Sequence, residues 1–348
     1  MPSTEPSRVL LALLFVVVIG CSREPAPTPP ASVDPPVGEP APPDGGTKIG
    51  RHTVEEWELE LTHQDPRIRR AAVRELEVLG PDARPLGPAL LARVSDPSET
   101  FEIRTAVLRV VPATCGEEAI AVLQPLFTDG GAYAQNAAAA LIEIGPASEP
   151  VLRAGLSSGN AEVRRVAATG LFRLFEHGLE FETMSAAAVE LVPTLADEDG
   201  SVRRAAFRCL VFLGERAGAA VPALVAQLDG DADAQTREAV LAVLGAVGEP
   251  AKTALPAIER ELRSESPAVR LEAATTVASL GKVDDGLTVM TAMLREDDPV
   301  WRREAAIQIG KLGPAAASAR GALEEALAGE PDSLAIEAME EALRFLGS

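Results

Sequence analysis

An arginine followed eleven residues later by a glycine recurs along this 348-residue chain, and no other feature constrains its fold as strongly. The pairing occurs as Arg69 with Gly80, Arg203 with Gly214, Arg237 with Gly248, Arg270 with Gly281 and Arg302 with Gly313. Successive arginines usually stand 32 to 35 residues apart. A fixed period of that size is the signature of one supersecondary unit stacked on copies of itself. Within the copy at Asp199–Gly214, Val202, Ala205, Ala206, Cys209, Leu210 and Leu213 make one apolar stripe at helical spacing. Asp199 and Ser201 stand ahead of the stripe as possible N-caps, and Gly214 follows as a stop.

The openings of the units share a turn and an arginine. They read Asp65-Pro-Arg-Ile-Arg69, Asn160-Ala-Glu-Val-Arg164, Asp199-Gly-Ser-Val-Arg203, Asp233-Ala-Gln-Thr-Arg237, Ser266-Pro-Ala-Val-Arg270 and Asp298-Pro-Val-Trp-Arg302. A longer version leads from Asp96-Pro to Ile103-Arg104. Units at Ala134 with Gly145 and at Ile336 with Gly347 keep the glycine without the arginine. A second helix is predicted after each glycine, often opened by proline, as at Pro88, Pro193, Pro222 and Pro256, where the missing N–H costs nothing. Val54, Trp57 and Leu61 predict a short capping helix before the first unit. No segment alternates at period two for long enough to predict a sheet. Neither helix of a unit can bury its stripe alone, so neighbouring pairs must stack.

The Asp-Pro turn, the Val-Arg followed by Ala-Ala, and the Leu-Gly-Pro before the second helix resemble HEAT repeats. The short HEAT-like type of phycobilisome lyase subunits is the nearest in pattern, over about residues 53–348. The resemblance implies an all-α, armadillo-type fold, an α-solenoid (superhelix) of about eight to nine helix pairs. It also implies that the repeat arginines Arg69, Arg104, Arg164, Arg203, Arg237, Arg270 and Arg302 form a structural ladder with turn aspartates of adjacent units. Catalysis does not carry over with fold likeness.

Two units depart from the pattern. Pro112 lies inside the first helix of one, predicting a kink or an early end, and Cys115 replaces its glycine. In the other, Phe175 takes the glycine position and Glu176–Ser185 is inserted before the second helix. Phe172, Phe175, Phe181, Phe207 and Phe212 gather around this insertion. They either fill irregular packing or expose an anchor, and a candidate partner-binding edge comprises Phe175, Glu180, Phe181 and Glu182.

The N-terminus reads as an address. Val9–Gly20 is a twelve-residue apolar run, too short to span a bilayer, which takes about twenty residues, but suited to a secretory signal. Val18-Ile19-Gly20-Cys21 resembles the lipobox of bacterial lipoproteins, which implies cleavage after residue 20 and acylation of Cys21. Ser22 in place of Asp then implies the outer membrane, facing the periplasm, within the bacterial cell envelope. Nine of the 29 residues from Ser22 to Gly50 are proline, so 21–50 is expected to be a lipidated cysteine and an extended linker. The domain plan is a signal peptide at 1–20, that linker at 21–50 and the solenoid at 51–348.

Charge and chemistry narrow the function. The chain carries 52 acids and 32 bases, a net charge of −20, which repels nucleic acid. His52, His63 and His177 have no metal-ligand spacing, there is no Cys-x-x-Cys, and no nucleotide or nucleophile motif stands in the right setting. No catalytic residue, metal or cofactor is therefore assigned. The expected function is a non-catalytic, membrane-tethered scaffold for a protein or peptide partner. The alternatives are an enzyme or enzyme subunit resembling bilin-type lyases, and a purely structural spacer.

Overall fold

The computed structural model describes residues 48–178 and 180–347. The signal segment, Cys21 and most of the proline-rich stretch lie outside the described residues. The unit beginning at Gly46 is an α-solenoid. It opens with a short antiparallel ribbon, β1 (Lys48–Ile49) and β2 (His52–Thr53), that the period-two test is too coarse to detect. Gly50 turns the ribbon at φ +61°. The Ile49 carbonyl accepts a bond of 2.8 Å from Trp57 Nε1, which seats the indole at the end of the core.

Helix α1 (Val54–Leu61) follows, closed by a reciprocal capping box between Thr53 and Glu56. Four pairs come next: α2 (Pro66–Leu79) with α3 (Gly87–Ser95), α4 (Phe101–Cys115) with α5 (Ile120–Thr128), α6 (Ala134–Ile144) with α7 (Glu149–Gly155), and α8 (Ala161–Glu176) with α9 (Phe181–Leu191). Four more follow: α10 (Gly200–Leu213) with α11 (Val221–Asp229), α12 (Ala234–Val247) with α13 (Leu255–Glu261), α14 (Pro267–Ser279) with α15 (Val283–Met293), and α16 (Pro299–Leu312) with α17 (Arg320–Gly329). Helix α18 (Ser333–Phe345) is the last described.

The first helix of nearly every pair starts on a side-chain cap. Asp65, Thr100, Asn160, Asp199, Asp233, Ser266, Asp298 and Asp332 each accept from an amide in the first turn. Helix α6 lacks such a cap, in the unit that also lacks the arginine. The second helices have a different start. Short 3-10 segments at Gly80–Leu86, Gly116–Ala119, Pro146–Ser148, Gly214–Ala220, Glu249–Ala254 and Gly313–Ala319 lead into them. Such a lead-in satisfies the first-turn amides with main-chain carbonyls, so no side-chain cap is needed.

Three sequence expectations are corrected. Helix α4 does not end at Pro112 but runs on to Cys115, and Gly116 at φ +55° provides the stop one residue late. The insertion is shorter than Glu176–Ser185, because α8 runs on to Glu176, Gly178 at φ +85° turns the chain, and α9 already begins at Phe181. Pro193 does not open a second helix; it starts a 3-10 turn, Pro193–Ala196, after α9 has ended.

The first helices stack on one another, and each second helix packs against the first helix of the following unit. Stacking of α14 on α16 is the thinnest of these contacts, and the core divides there. Val269, Ala273 and Val277 of α14 join the larger core, while its Leu271, Ala274 and Ala278 join the C-terminal one. The segment Gly200–Asp229 is long and apolar enough to cross a membrane by composition. It is broken at Gly214, however, and Val202, Leu210 and Leu224 are buried in the solenoid.

Candidate functional site

Several of the repeat arginines tie their unit to the start of the next. Arg69 grips Glu99 through Nε and Nη2, both at 2.7 Å, and its Nη1 donates to the His63 and Gln64 carbonyls. Arg164 holds Asp197 at 2.6 and 2.8 Å and donates to Ser158 O at 2.9 Å. Arg302 holds Glu330 with two bonds of 2.6 Å. Arg237 pairs with Glu261 at 2.7 Å, and Arg270 pairs with Glu296. Arg203 bonds the Asp197 and Glu198 carbonyls and reaches Gln235. Arg104 has no ion pair among the described residues; it donates to Val94 O and lies 4.1 Å from the centre of the Tyr133 ring.

The acid that meets the arginine is not the N-cap aspartate. Asp199 spends its oxygen on the amides of Ser201 and Val202, whereas Asp197, two residues earlier, meets Arg164. Hydrogen bonding from Arg164 is the main reason the Asp197 carboxyl lies below its ordinary range, and Arg302 does the same for Glu330. Burial opposes the charge on Glu99, yet the bonds from Arg69 and the Thr100 amide leave its carboxyl lowered too. Bidentate pairing of this kind consumes most guanidinium donors inside the fold.

The aromatic cluster around the insertion divides. Phe175 is a correction: at 3% exposure it lies in the core, because the longer α8 keeps it on the stripe with Leu171 and Leu174. Phe172 meets Phe212 edge to face at 5.2 Å with Arg208 stacked over it, on the first-helix side. Glu180 and Glu182 are exposed at the start of α9, while the side chain of Phe181 lies outside what is described. Of the proposed edge, Phe175 is removed to the core, and Glu180 and Glu182 stand exposed.

Sequence reasoning missed a groove of about 350 Å³ across α10, α12 and α14. Arg203, Arg204 and Phe207 line it from α10, Gln235, Glu238 and Ala242 from α12, and Glu272 from α14. Burial first, and then the charge of Glu238, push the Glu272 carboxyl up to about 7, against the pull of Lys311. Glu272 is the single acid between Arg270 and Lys282, set in an otherwise apolar helix, and that isolation was the signal available in the sequence. A second groove, about 470 Å³ and mostly apolar, lies between α16 and α18 beside Gly310, Ala342 and Phe345.

The remaining candidate chemistry is quiet. Cys209 is buried, donates to Ala168 O, and its thiol is pushed up to about 12 by burial. Cys115 is half-buried and also raised by burial, so neither thiol has thiolate character. His52 sits edge-on to Trp57 between Glu56 and Glu60. His63 accepts from the Asp65 amide, and His177 caps α8. Among the described residues no three His, Cys, Asp or Glu side chains are placed to hold a metal.

Overlapping matches to a family model described as HEAT repeats cover residues 147–245, 188–260, 221–310 and 255–344, more than half of the chain. No curated protein matches by sequence. Among solved structures, Kap121p superposes with a TM-score of 0.63 at 13% identity, over 84% of this chain and 37% of its own. Importin Beta superposes with a TM-score of 0.61 at 14% identity, over 84% of this chain and 46% of its own. Kap121p bound to Nup53p gives 0.60 at 15% identity, over 84% and 37%. The chain spans less than half the length of these proteins, and at such identities the likeness is one of fold.

Proposed function

This chain belongs to the HEAT-repeat family, and from that premise we propose that it is a non-catalytic scaffold that holds a protein or peptide partner. The groove across α10, α12 and α14 carries the reading. Ladder arginines are satisfied by their neighbours, but Glu238 and Glu272 stand together in that groove with no cation paired to either among the described residues. A basic side chain from a partner would relieve their repulsion, and a net charge of −20 would speed its approach. Solved complexes of fold-alikes, Kap121p bound to Nup53p and a Kap95:Nup1 complex, support protein binding as a use of this architecture.

The second half of the proposal is a lipid tether on Cys21 in a bacterial cell envelope, at the outer membrane facing the periplasm. It is supported by the order Val18-Ile19-Gly20-Cys21-Ser22 alone. Stable anchoring takes more than one acyl chain, as that cysteine type provides.

Affinity capture from detergent-solubilised membranes tests the first half. The wild type is expected to retain a discrete protein that Glu238→Lys with Glu272→Lys loses; an identical set from both proteins would contradict the groove. A co-purifying chromophore would instead favour the lyase-type alternative. Labelling with an alkynyl fatty acid tests the tether: label on the wild type and none on Cys21→Ala is expected, and no label on either would remove the anchor.

A further inference from the structure

A cavity of about 320 Å³ opens where the α8–α9 loop passes the start of α7, on the edge that the insertion creates. Pro146, Ala147 and Pro150 form its aliphatic walls, and Glu180 and Thr183 stand at its rim. Glu149 lines it as well, yet that residue is only 3% exposed. Its Oε1 is buried without a hydrogen-bond partner. The nearest cation is Arg153, whose Nε stands 3.5 Å from that oxygen, outside hydrogen-bond range, and 3.4 Å from Glu190. One guanidinium thus serves two carboxylates, and Glu180 adds a third to the same neighbourhood.

A buried carboxylate oxygen with no donor is costly and is normally paired. Burial, more than any neighbour, raises the Glu149 carboxyl above its ordinary range; Arg153 opposes the shift and Glu190 adds to it. The shortage of positive charge is local, and the cavity has room for a cation to correct it.

We propose that this cavity receives a lysine side chain from a protein partner, with the ammonium between Glu149 and Glu180. The methylene stem would lie along Pro146, Ala147 and Pro150, which offer no aromatic face for a guanidinium to stack on. The site is separate from the groove across α10, α12 and α14, so either can fail without the other.

Titration of the ¹⁵N-labelled full chain with acetyl-Gly-Lys-Gly-amide tests this, read at the amides of Gly178 and Thr183. A saturable shift is expected with lysine and none with norleucine or acetyl-lysine at the same position. Glu149→Gln should weaken binding about tenfold and Glu180→Gln about threefold, consistent with loss of charge-assisted bonds. Glu149→Gln should melt no lower than the wild type, since it removes a buried charge that accepts no hydrogen bond. Glu238→Lys with Glu272→Lys should leave the titration unchanged. Equal binding of the arginine or norleucine peptide, an unaffected Glu149→Gln, a lower melting point for that variant, or no saturable shift would each overturn the assignment.

Discussion

At the scale of single residues, burial decides which charges matter. Arg164 and Asp197 have side chains 11% and 7% exposed and share two bonds, while Arg260 and Asp229 pair on the surface at 60% and 52%. Removing one partner of a buried pair strands the other, at about 3–5 kcal/mol, whereas an exposed pair contributes about 0–1 kcal/mol. Arg164→Ala is therefore expected to lower the urea midpoint strongly and Arg260→Ala hardly at all; equal effects would contradict the ladder's structural weight. Glu272 behaves in the opposite sense. Its carboxyl rises from 4.5 to about 7 in the folded chain. Between those values the native state holds a proton that the unfolded chain has released, so folding loses stability as pH rises through that window. Glu272→Gln should abolish that part of the loss and stabilise the protein at pH 8 by up to about 3 kcal/mol, with no gain at pH 4. Thermal melts of variant and wild type at both pH values check the sign, because the background of net charge is common to the two.

Among the elements, the glycine stops carry the sharpest constraint. Gly214 ends α10 at φ +53° and ψ −127°, and Gly80, Gly116, Gly248 and Gly313 adopt nearly the same pair. This is not the left-handed helical conformation that asparagine tolerates; the ψ value places it where a Cβ meets its own backbone. Gly214→Asn is thus expected to destabilise as much as Gly214→Ala, by about 1–3 kcal/mol, measured by the urea midpoint. A clear rescue by asparagine would contradict this geometry. The regularity of that stop is also why the element order was legible: each unit needs a cap, an apolar stripe and a glycine, and all three are residue types with a fixed offset. The 3-10 lead-ins were not legible, because Gly80-Pro-Asp and Gly214-Glu-Arg differ in every residue but the first while making the same turn. Glu149 was invisible as a site residue, and Glu272 was marked only by its isolation, because their environment comes from α9 and α12, elements brought in by stacking.

For the solenoid as a whole, the question is which surface works. Ladder and core are directed inward and consume their own polar groups, while the first-helix groove keeps two carboxylates unpaired alongside Arg203 and Arg204. A partner held there would be bound through charge as well as shape, and its retention should weaken as ionic strength rises. The most direct measurement is site-specific photo-cross-linking in living cells. A benzophenone amino acid replaces Ala242 on the groove floor in one protein and Lys252, in the 3-10 segment ahead of α13, in another. Cross-linking of a discrete protein from Ala242 and none from Lys252 is the predicted result; equal cross-linking from both positions, or capture from Lys252 alone, would contradict the account.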